Sequence, residues 1–580
     1  MIRYALSAIP VAVALLASAT ASAQADDLLV RYHLNPGYAG AGMPYRDCSL
    51  AGGEAGAEQA VSEEDEYSET PLQREAATLP SGLTLARAQE LRAQKHLQLE
   101  ALIVQLDGLL GSMPPDYPAR ADVLFRKADA LKQLADADYL VARATFTECI
   151  DNWYACASDG ECYEPMPDYT DAIDAFRTIA RSHPSYERLD EVVFRLGETL
   201  MENDNASEGI QFLTRLVNTY PNSQYIADAR LLMAEHYFDN NLLIAARQNY
   251  DEVLRFPTSS VYNYALYKVA WVDINEFMFE EALSKLQTVV RNLDQLSEPQ
   301  LDFRRQALND MLKAYVELDS GWVRAREYYE GYGGEEMMRR QLTRLAVLYD
   351  EQFKQEERVE VLEFFFNRFD SDPMIPQWAA DIRDSLEKIG NWDRFEERVR
   401  GFIAYMAPNA PWWVQNASNE RAITNAVGYT HDWVLHIINR NYTEAERLRR
   451  NQAAVARALF EECADDYTTF FRQFPDSRET YAQSFLYAEL LYYKLVHDSD
   501  DTYPGCTPNY AGQERCDAWL ATAGEAYRRV VELDPRPDAP HAHDSAIGAL
   551  QVYDDFMKRV VTDIDAPLPP PRDKIGRAHV

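Results

Sequence analysis

The stretch EVVFRLGETLMENDNASEGIQFLTRLVNTYPNSQYIADARLLMAEHYFDNNLLIAARQNYDEVLRFP, residues 191–257, decides the fold. Gly197 and Gly209 lie 12 residues apart, and the turn residue Pro221 follows after another 12. The next unit offers Ala234, Ala245 and Pro257, and a third opens with Ala270 and Ala282. The leading positions 197, 234 and 270 are 37 and 36 residues apart, a period that marks a solenoid of helix pairs. In this reading the first small residue lets helix A approach helix B of its own unit, and the second lets helix B meet the next helix A. The proline ends helix B, because it has no N–H to give to the helical ladder.

Apolar plugs stand at matching places: Phe176 eight residues before Pro184, and Leu213 eight before Pro221. The register returns toward the C-terminus. Pro475 precedes Ala488 by 13 residues, as Pro221 precedes Ala234. Ala523, Tyr527 and Pro535 repeat the spacing of Ala172, Phe176 and Pro184, and Gly548 again follows a proline by 13.

Small residues 12 apart, a plug four later and a proline 12 after the second small residue closely resemble the tetratricopeptide repeat (TPR) family. Ala245 departs from the pattern by coming one residue early, and the turns between helices are longer than the commonest form. Both departures resemble the subclass found in bacterial envelope proteins. The resemblance implies an all-α, right-handed α-solenoid of TPR-type helix pairs with a more irregular helical middle.

Helical patterning dominates from Leu83 to about Val561. The expected organisation is a TPR array over 84–300, degenerate repeats and long helices over 301–460, and C-terminal TPR pairs over 461–561. Ala346 serves as the small residue of one degenerate pair, and the segment from Pro411 to Pro475 is read as a bend. Over about 84–560 the degenerate pair, tryptophan-bearing turn and long helices are similar to large periplasmic TPR proteins of myxobacteria and their relatives, some linked to gliding motility.

The N-terminus places Arg3 before an apolar run, Ala5 to Ala17, followed by Ala21-Ser22-Ala23 and Ala23-Gln24-Ala25. This is the layout of a cleavable secretory signal over 1–25, cut after Ala23 or Ala25. The first cysteine is Cys48, so no lipid-anchor cysteine stands at the cleavage site. Residues 26–83 are rich in Gly, Ala and acid and read as a flexible leader. Residues 562–580 begin as a proline-rich linker, and Ile575 to Val580 look like adapter read-through, so the natural chain is expected to continue past about Lys574.

The 580-residue chain has 57 Lys plus Arg against 93 Asp plus Glu, a net charge of −36. Such a surface repels phosphate backbones and anionic lipid, which argues against nucleic acid and direct membrane partners. Solubility is its ordinary use, with attraction of basic proteins or cations as the alternative.

Seven cysteines fall at 48, 149, 156, 162, 463, 506 and 516. Two insertions separate helix A from helix B: Ala128 to Ala172 is 44 residues and Ala488 to Ala523 is 35, where 12 is ordinary. Both carry cysteines. A disulfide shortens the free loop of the unfolded chain, so Cys506–Cys516 is expected as one staple, and Cys156 with Cys162 or Cys149 as another. The alternative of zinc meets a C-x6-C-x5-C spacing that lacks the close pairs of structural sites. Cys48 and Cys463 have no obvious partner.

No G-x-x-x-x-G-K-[ST], G-x-S-x-G or H-E-x-x-H motif occurs. Gly331-Tyr332-Gly333-Gly334 reads as an inter-helix turn, having no preceding strand and no phosphate-binding lysine. His541-Ala542-His543-Asp544 has metal-ligating residue types, but capping by Asp544 is preferred. Asp498, Asp500 and Asp501 lack the bidentate Glu of a calcium loop. Glu461-Glu462 and Asp465-Asp466 read as solvated faces, and Trp412-Trp413 as core with an aromatic platform as the alternative. No catalytic residue, cofactor or metal is expected. The 35 tyrosines combine large contact area with a polar tip, the chemistry of peptide-binding surfaces, although helix packing must account for most of them.

The sequence thus points to a periplasmic TPR scaffold for proteins or peptides of the cell envelope, with oligomeric state open. The alternatives are the substrate-guiding part of a cell-wall enzyme resembling soluble lytic transglycosylases, and an outer-membrane protein assembly factor.

Overall fold

The structure is a computed structural model describing residues 85–154, 162–296, 300–497, 513–536 and 538–561. Among the described residues there are twenty α-helices and no β-strand. The chain divides into two compact units, one running to Gly321 and the other starting at Trp322.

Unit 1 contains α1 (Leu85–Ser112), α2 (Arg120–Tyr154), α3 (Thr170–Ser182), α4 (Leu189–Glu202), α5 (Ala206–Thr219), α6 (Ile226–Asp239), α7 (Leu243–Val253), α8 (Tyr262–Asn275), α9 (Phe279–Asp294) and α10 (Leu301–Tyr315). Each helix packs on the next in sequence, and alternate helices also touch, α4 on α6 and α8 on α10. This is tandem packing of helix pairs. Helices α2, α4, α6, α8 and α10 are therefore A helices, and α3, α5, α7 and α9 are B helices.

The two classes face different surroundings. α4 buries nine of its 14 residues, whereas α5 buries only Gly209, Leu213 and Leu216. A helix flanked by neighbours on several sides must be apolar nearly all round, and one at the outside needs only a stripe.

Gly197 and Gly209 set the spacing of the first complete pair. A methyl group at Gly197 would stand 3.2 Å from the Gly209 carbonyl oxygen, and one at Gly209 would stand 2.8 Å from that of Gly197. Both glycines thus serve the same α4–α5 contact, which corrects the assignment of Gly209 to the following helix A. In the next pair Ala246 is fully buried and lies 12 residues after Ala234, while Ala245 is only half-buried. The supposed early position was a misreading of an Ala-Ala pair. Ala270 and Ala282 are both fully buried. Near the C-terminus a methyl group at Gly548 would meet the Tyr527 ring at 2.6 Å, so a plug sits directly over a glycine.

The turn after each helix A carries a further repeated position. Asp204, Asn241, Phe277 and Phe353, seven residues after Gly197, Ala234, Ala270 and Ala346, have φ of 55°, 58°, 62° and 59°. The next residue closes a 6→1 bond in each case: Asn205 to Leu200, Leu242 to Tyr237, Met278 to Asp273 and Lys354 to Tyr349, at 2.7–2.9 Å. This left-handed cap satisfies carbonyls that the helix end would otherwise orphan.

The first insertion is mostly helix. α2 runs to Tyr154, and residues 162–169 return as non-helical chain to α3. Cys149 is bonded to Cys162 with Cα atoms 5.8 Å apart, fixing that return to the end of α2. This corrects both pairings expected for Cys156, which lies outside the described residues. Cys516 is disulfide-bonded, and Cys506 lies outside the described residues. Cys463 is a buried free thiol.

Unit 2 contains α11 (Gly321–Glu351), α12 (Gln355–Arg368), α13 (Ile375–Ile389), α14 (Trp392–Tyr405), α15 (Pro411–Asn416), α16 (Glu420–Leu448), α17 (Ala453–Gln473), α18 (Thr480–Glu489), α19 (Gln513–Leu533) and α20 (Ala542–Val561). α18 continues as a π-helical segment, Leu490–Val496. α11 is broken at Gly334, whose φ of 74° and ψ of −168° only glycine adopts freely, so the glycine-rich segment is a joint between two helical stretches. The helices up to Tyr405 keep ordinary pair length, and irregularity begins with the six-residue α15 and the 29-residue α16. Trp412 is buried and donates its indole N–H to the Asp372 carbonyl at 2.8 Å, while Asn416 donates to Ser371. These two residues fasten α15 to the turn after α12.

Substitution at the helix contacts tests the register. Gly209→Val is expected to lose about 3 kcal/mol or more to backbone displacement, Ala246→Val about 1–3, and Ala245→Val less than about 0.5. Urea denaturation of the three variants reads the order directly.

Candidate partner-binding surface

Each A helix of unit 1 from α4 to α10 buries one carboxylate: Glu198, Glu235, Asp273 and Asp310, all under 10% exposed. Each has charged or hydroxyl partners, as a buried carboxylate requires. Glu235 accepts from Tyr250, from Tyr264 at 3.1 Å and from Lys268 at 3.0 Å. Asp273 takes Arg247 at 2.6 Å and Lys285 at 2.5 Å. Asp310 accepts from the Tyr267 hydroxyl at 2.6 Å and lies 3.5 Å from Lys313. Glu198 pairs with Arg195 at 3.0 Å. Burial and the Glu235 charge raise the Tyr250 hydroxyl far above its ordinary value, and burial and Asp310 do the same to Tyr267.

Many tyrosines are thus structural. In unit 1, Tyr169 donates to Asp136 at 2.6 Å and Tyr186 to Asp122 at 2.8 Å; in unit 2, Tyr527 donates to Glu489 and Tyr492 to Asp555. The side chains that remain partly open on the A helices are of other kinds. Lys313 lies 4.2 Å over the Trp271 ring and Lys268 lies 4.3 Å over Phe238, both within cation–π range. Asp228 is pushed up to about 6 by burial and the nearby Glu198, and Asp239 to about 6 by burial and Glu235. The face therefore runs from strained carboxylates on α6 to cations and aromatic rings on α8 and α10. Such a surface can take basic side chains at one part and acidic or aromatic ones at the other.

Residues 191–223 match the tetratricopeptide repeat family. They span α4, α5 and the turn that follows, including the Gly197–Gly209 contact. This α4–α5 stretch thus carries the signature of one tetratricopeptide repeat. No curated protein matches the chain. Among solved structures, a chain of Naa15/Naa10 bound to HypK-THB is 11% identical, covering 80% of this chain and 68% of that one, with a TM-score of 0.25. A human IFIT1 dimer with m7Gppp-AAAA is 12% identical over 82% of this chain and 89% of that one, TM-score 0.19. A circular tandem repeat protein with novel repeat topology is 12% identical over 81% and 99%, TM-score 0.13. TM-scores this low carry no weight for the TPR reading.

Of the residues singled out from sequence, Gly197, Gly209, Ala234, Ala270, Ala282, Ala488, Ala523, Tyr527 and Gly548 are buried, whereas Ala245 is half-buried and Pro221, Pro257, Pro475 and Pro535 are exposed; the open side chains of the A face were missed. Part of their signal was available: Trp271 directly follows the small residue of its helix A, Ala270.

Unit 2 holds other groupings. α14 and α17 flank an open cleft of about 550 Å³ lined by Asp393, Glu396, Glu397, Arg400, Glu462, Asp465 and Asp466. Arg400 holds both Asp466 oxygens and Glu396. Asp466 is 9% exposed, so the reading of Asp465-Asp466 as one solvated face fails for it. Ser477, His431 and Asp432 are linked like a hydrolytic triad, with Ser477 Oγ 2.9 Å from His431 Nε2 and Asp432 Oδ1 2.9 Å from Nδ1. Ser477 stands two residues after Pro475, as Ser223 does after Pro221, and Ser223 Oγ donates to Asp190 at 2.6 Å. Both serines tie the inter-repeat turn to helix A of their own pair, and Asp432 is 80% exposed. The triad likeness is turn chemistry.

Asp544 lies inside the first turn of α20 and not at its N-cap, correcting the capping role. The residue before the helix is His541, at φ 64°, whose ring stacks on Phe485 at 4.2 Å. Among the described residues no group of His, Cys, Asp or Glu could hold a metal, and no helix is long and apolar enough to cross a membrane. Asp498, Asp500 and Asp501, the signal segment and Cys48 lie outside the described residues.

Asp228 gives a pH test. Its folded value near 6 exceeds the ordinary 3.8, so between those values the folded chain keeps a proton that the unfolded chain has released. Stability therefore falls as pH rises through that window. Asp228→Asn is expected to gain of order 1–2 kcal/mol at pH 8, with the gain vanishing by about pH 4; denaturation at both pH values measures it.

Proposed function

We propose that the protein is a non-catalytic, exported scaffold that holds segments of partner proteins against the A-helix face of unit 1. The observation that carries this reading is the row of partly open groups on that face, Asp228, Phe238, Asp239, Lys268, Trp271 and Lys313, on helices that each bury eight residues. Aromatic and charged side chains on a rigid helical array lose little entropy on binding, which is what a recognition surface requires. TPR repeats generally bind proteins or peptides, and the match over 191–223 supports that use here.

The Arg3-led apolar segment and the Ala-x-Ala tripeptides support export to a bacterial periplasm. The disulfide between Cys149 and Cys162 is compatible with an oxidising compartment. Partners in a cell-envelope complex, including surface-motility machinery, follow from the resemblance to large periplasmic TPR proteins.

Two measurements test the reading. Terminal sequencing of the secreted chain is expected to find Gln24 or Asp26 first; an uncut Met1 in the cytoplasm sinks export. A random-peptide display selection against the full chain is expected to yield binders that lose about tenfold affinity, 1.4 kcal/mol, with Trp271→Ala. Binders indifferent to Trp271→Ala, Lys268→Glu and Asp239→Asn place recognition elsewhere.

A further inference from the structure

α1 buries one stripe and leaves the opposite one bare. Leu99, Leu106 and Leu110 are each under 9% exposed, and α1 packs on α2. At 100° per residue, Leu97, Ala101, Val104 and Gly108 project about 140–200° away from that stripe, and Gly111 stands at the edge of the same face. Leu97 is 64% exposed and Val104 71%. A methyl group at Gly108 or Gly111 would meet nothing within 4 Å.

Two properties of this face suit a helical occupant. Its apolar residues follow the alternating 4-3-4 spacing of a coiled-coil seam, narrower than the stripe of a helix lying on a globular core. A glycine inside a helix costs about 1 kcal/mol against alanine, and among the described residues nothing uses the space that Gly108 opens.

The spacing of large and small residues identifies the occupant. Laid antiparallel on a copy of itself, the seam pairs Leu97 with Gly108 of the other helix and Ala101 with Val104, and the two-fold repeats both layers. Every layer sets a large residue against a small one, which two identical parallel helices in register would not do. We infer that α1 is a homodimerisation helix, pairing antiparallel with α1 of a second copy through Leu97, Ala101, Val104 and Gly108.

The flanks fit the same register. Gln98 stands near Gln105 of the other copy, and Glu100 near Asp107. The latter is a like-charged pair, softened on one side by Lys127, 2.5 Å from Asp107. Two helices of this length bury less than the roughly 1,600 Å² of a standard interface, so the dimer is a micromolar one and strengthens as salt screens the acidic flank.

Sedimentation equilibrium of the full chain from about 1 to about 100 μM is expected to show monomer and dimer, with the dimer fraction rising with salt. Val104→Glu is expected to abolish the dimer. Gly108→Leu discriminates further: it improves helix propensity in open space, so the thermal midpoint holds or rises while the dimer disappears. Oxidation of a Leu97→Cys, Gly108→Cys double variant is expected to give a covalent dimer that neither single variant gives. A wild-type chain that is monomeric throughout overturns the inference, including the case in which the chain's own residues 26–83 cover α1. A dimer that survives both Val104→Glu and Gly108→Leu overturns it as well.

Discussion

The rest of unit 1 depends on how closely two backbones can approach. Where α4 meets α5, glycine faces glycine, and each Cα carries nothing because the opposing carbonyl already fills the space. That contact fixes the distance within the pair. The repeated left-handed cap fixes the angle at which helix B leaves helix A, and the two together leave little freedom to the next pair. The spacing of 36 or 37 residues is the length of chain needed to run out, turn, return and turn again under those two constraints. Alanine replaces glycine in the second and third pairs, so the constraint is on size and not on backbone conformation.

Once the pairs are set, the A helices are surrounded, and the chemistry of their buried carboxylates follows. A chain carrying 93 acidic residues cannot keep all of them in water when its inner helices touch on several sides. The carboxylates taken inside are held by tyrosine hydroxyls, lysines and arginines drawn mostly from neighbouring helices, as Glu235 is by Tyr250 and Tyr264. Most such bonds tie one helix to another. Asp239, raised to about 6 by burial and Glu235 against the opposing charge of Lys268, is stabilised in its charged form by any further cation brought to the face. Packing demand and recognition chemistry thus share residues.

Much of this was legible in the sequence, and the gaps have physical causes. Gly197, Gly209, Ala234, Ala270 and Ala282 were readable because close helix contact tolerates few residue types. Ala245 was misread because an Ala-Ala pair offers two candidates and composition does not say which side chain points inward. The capping position escaped notice since Asp, Asn and two Phe share no side-chain property; the backbone angle is what repeats. The tyrosines were expected to serve mostly in helix packing, but which of them do so was not readable, because a phenol satisfied by a carboxylate and one offered to a partner have the same residue type. Cysteine pairing was open for a similar reason: the helical extension of α2, which brings Cys149 to Cys162, leaves no mark in cysteine spacing.

The stepwise packing of unit 1 also bears on its response to load. Helices there touch their neighbours and the next but one, so no contact between distant pairs has to break before others can. A tension applied across such an array is shared in series, each pair bearing the whole force and yielding by itself. The work is absorbed in small instalments and recovered as each hairpin closes again. Such an array behaves as a soft spring that yields first at its weakest helix pair, whatever the average strength of the others.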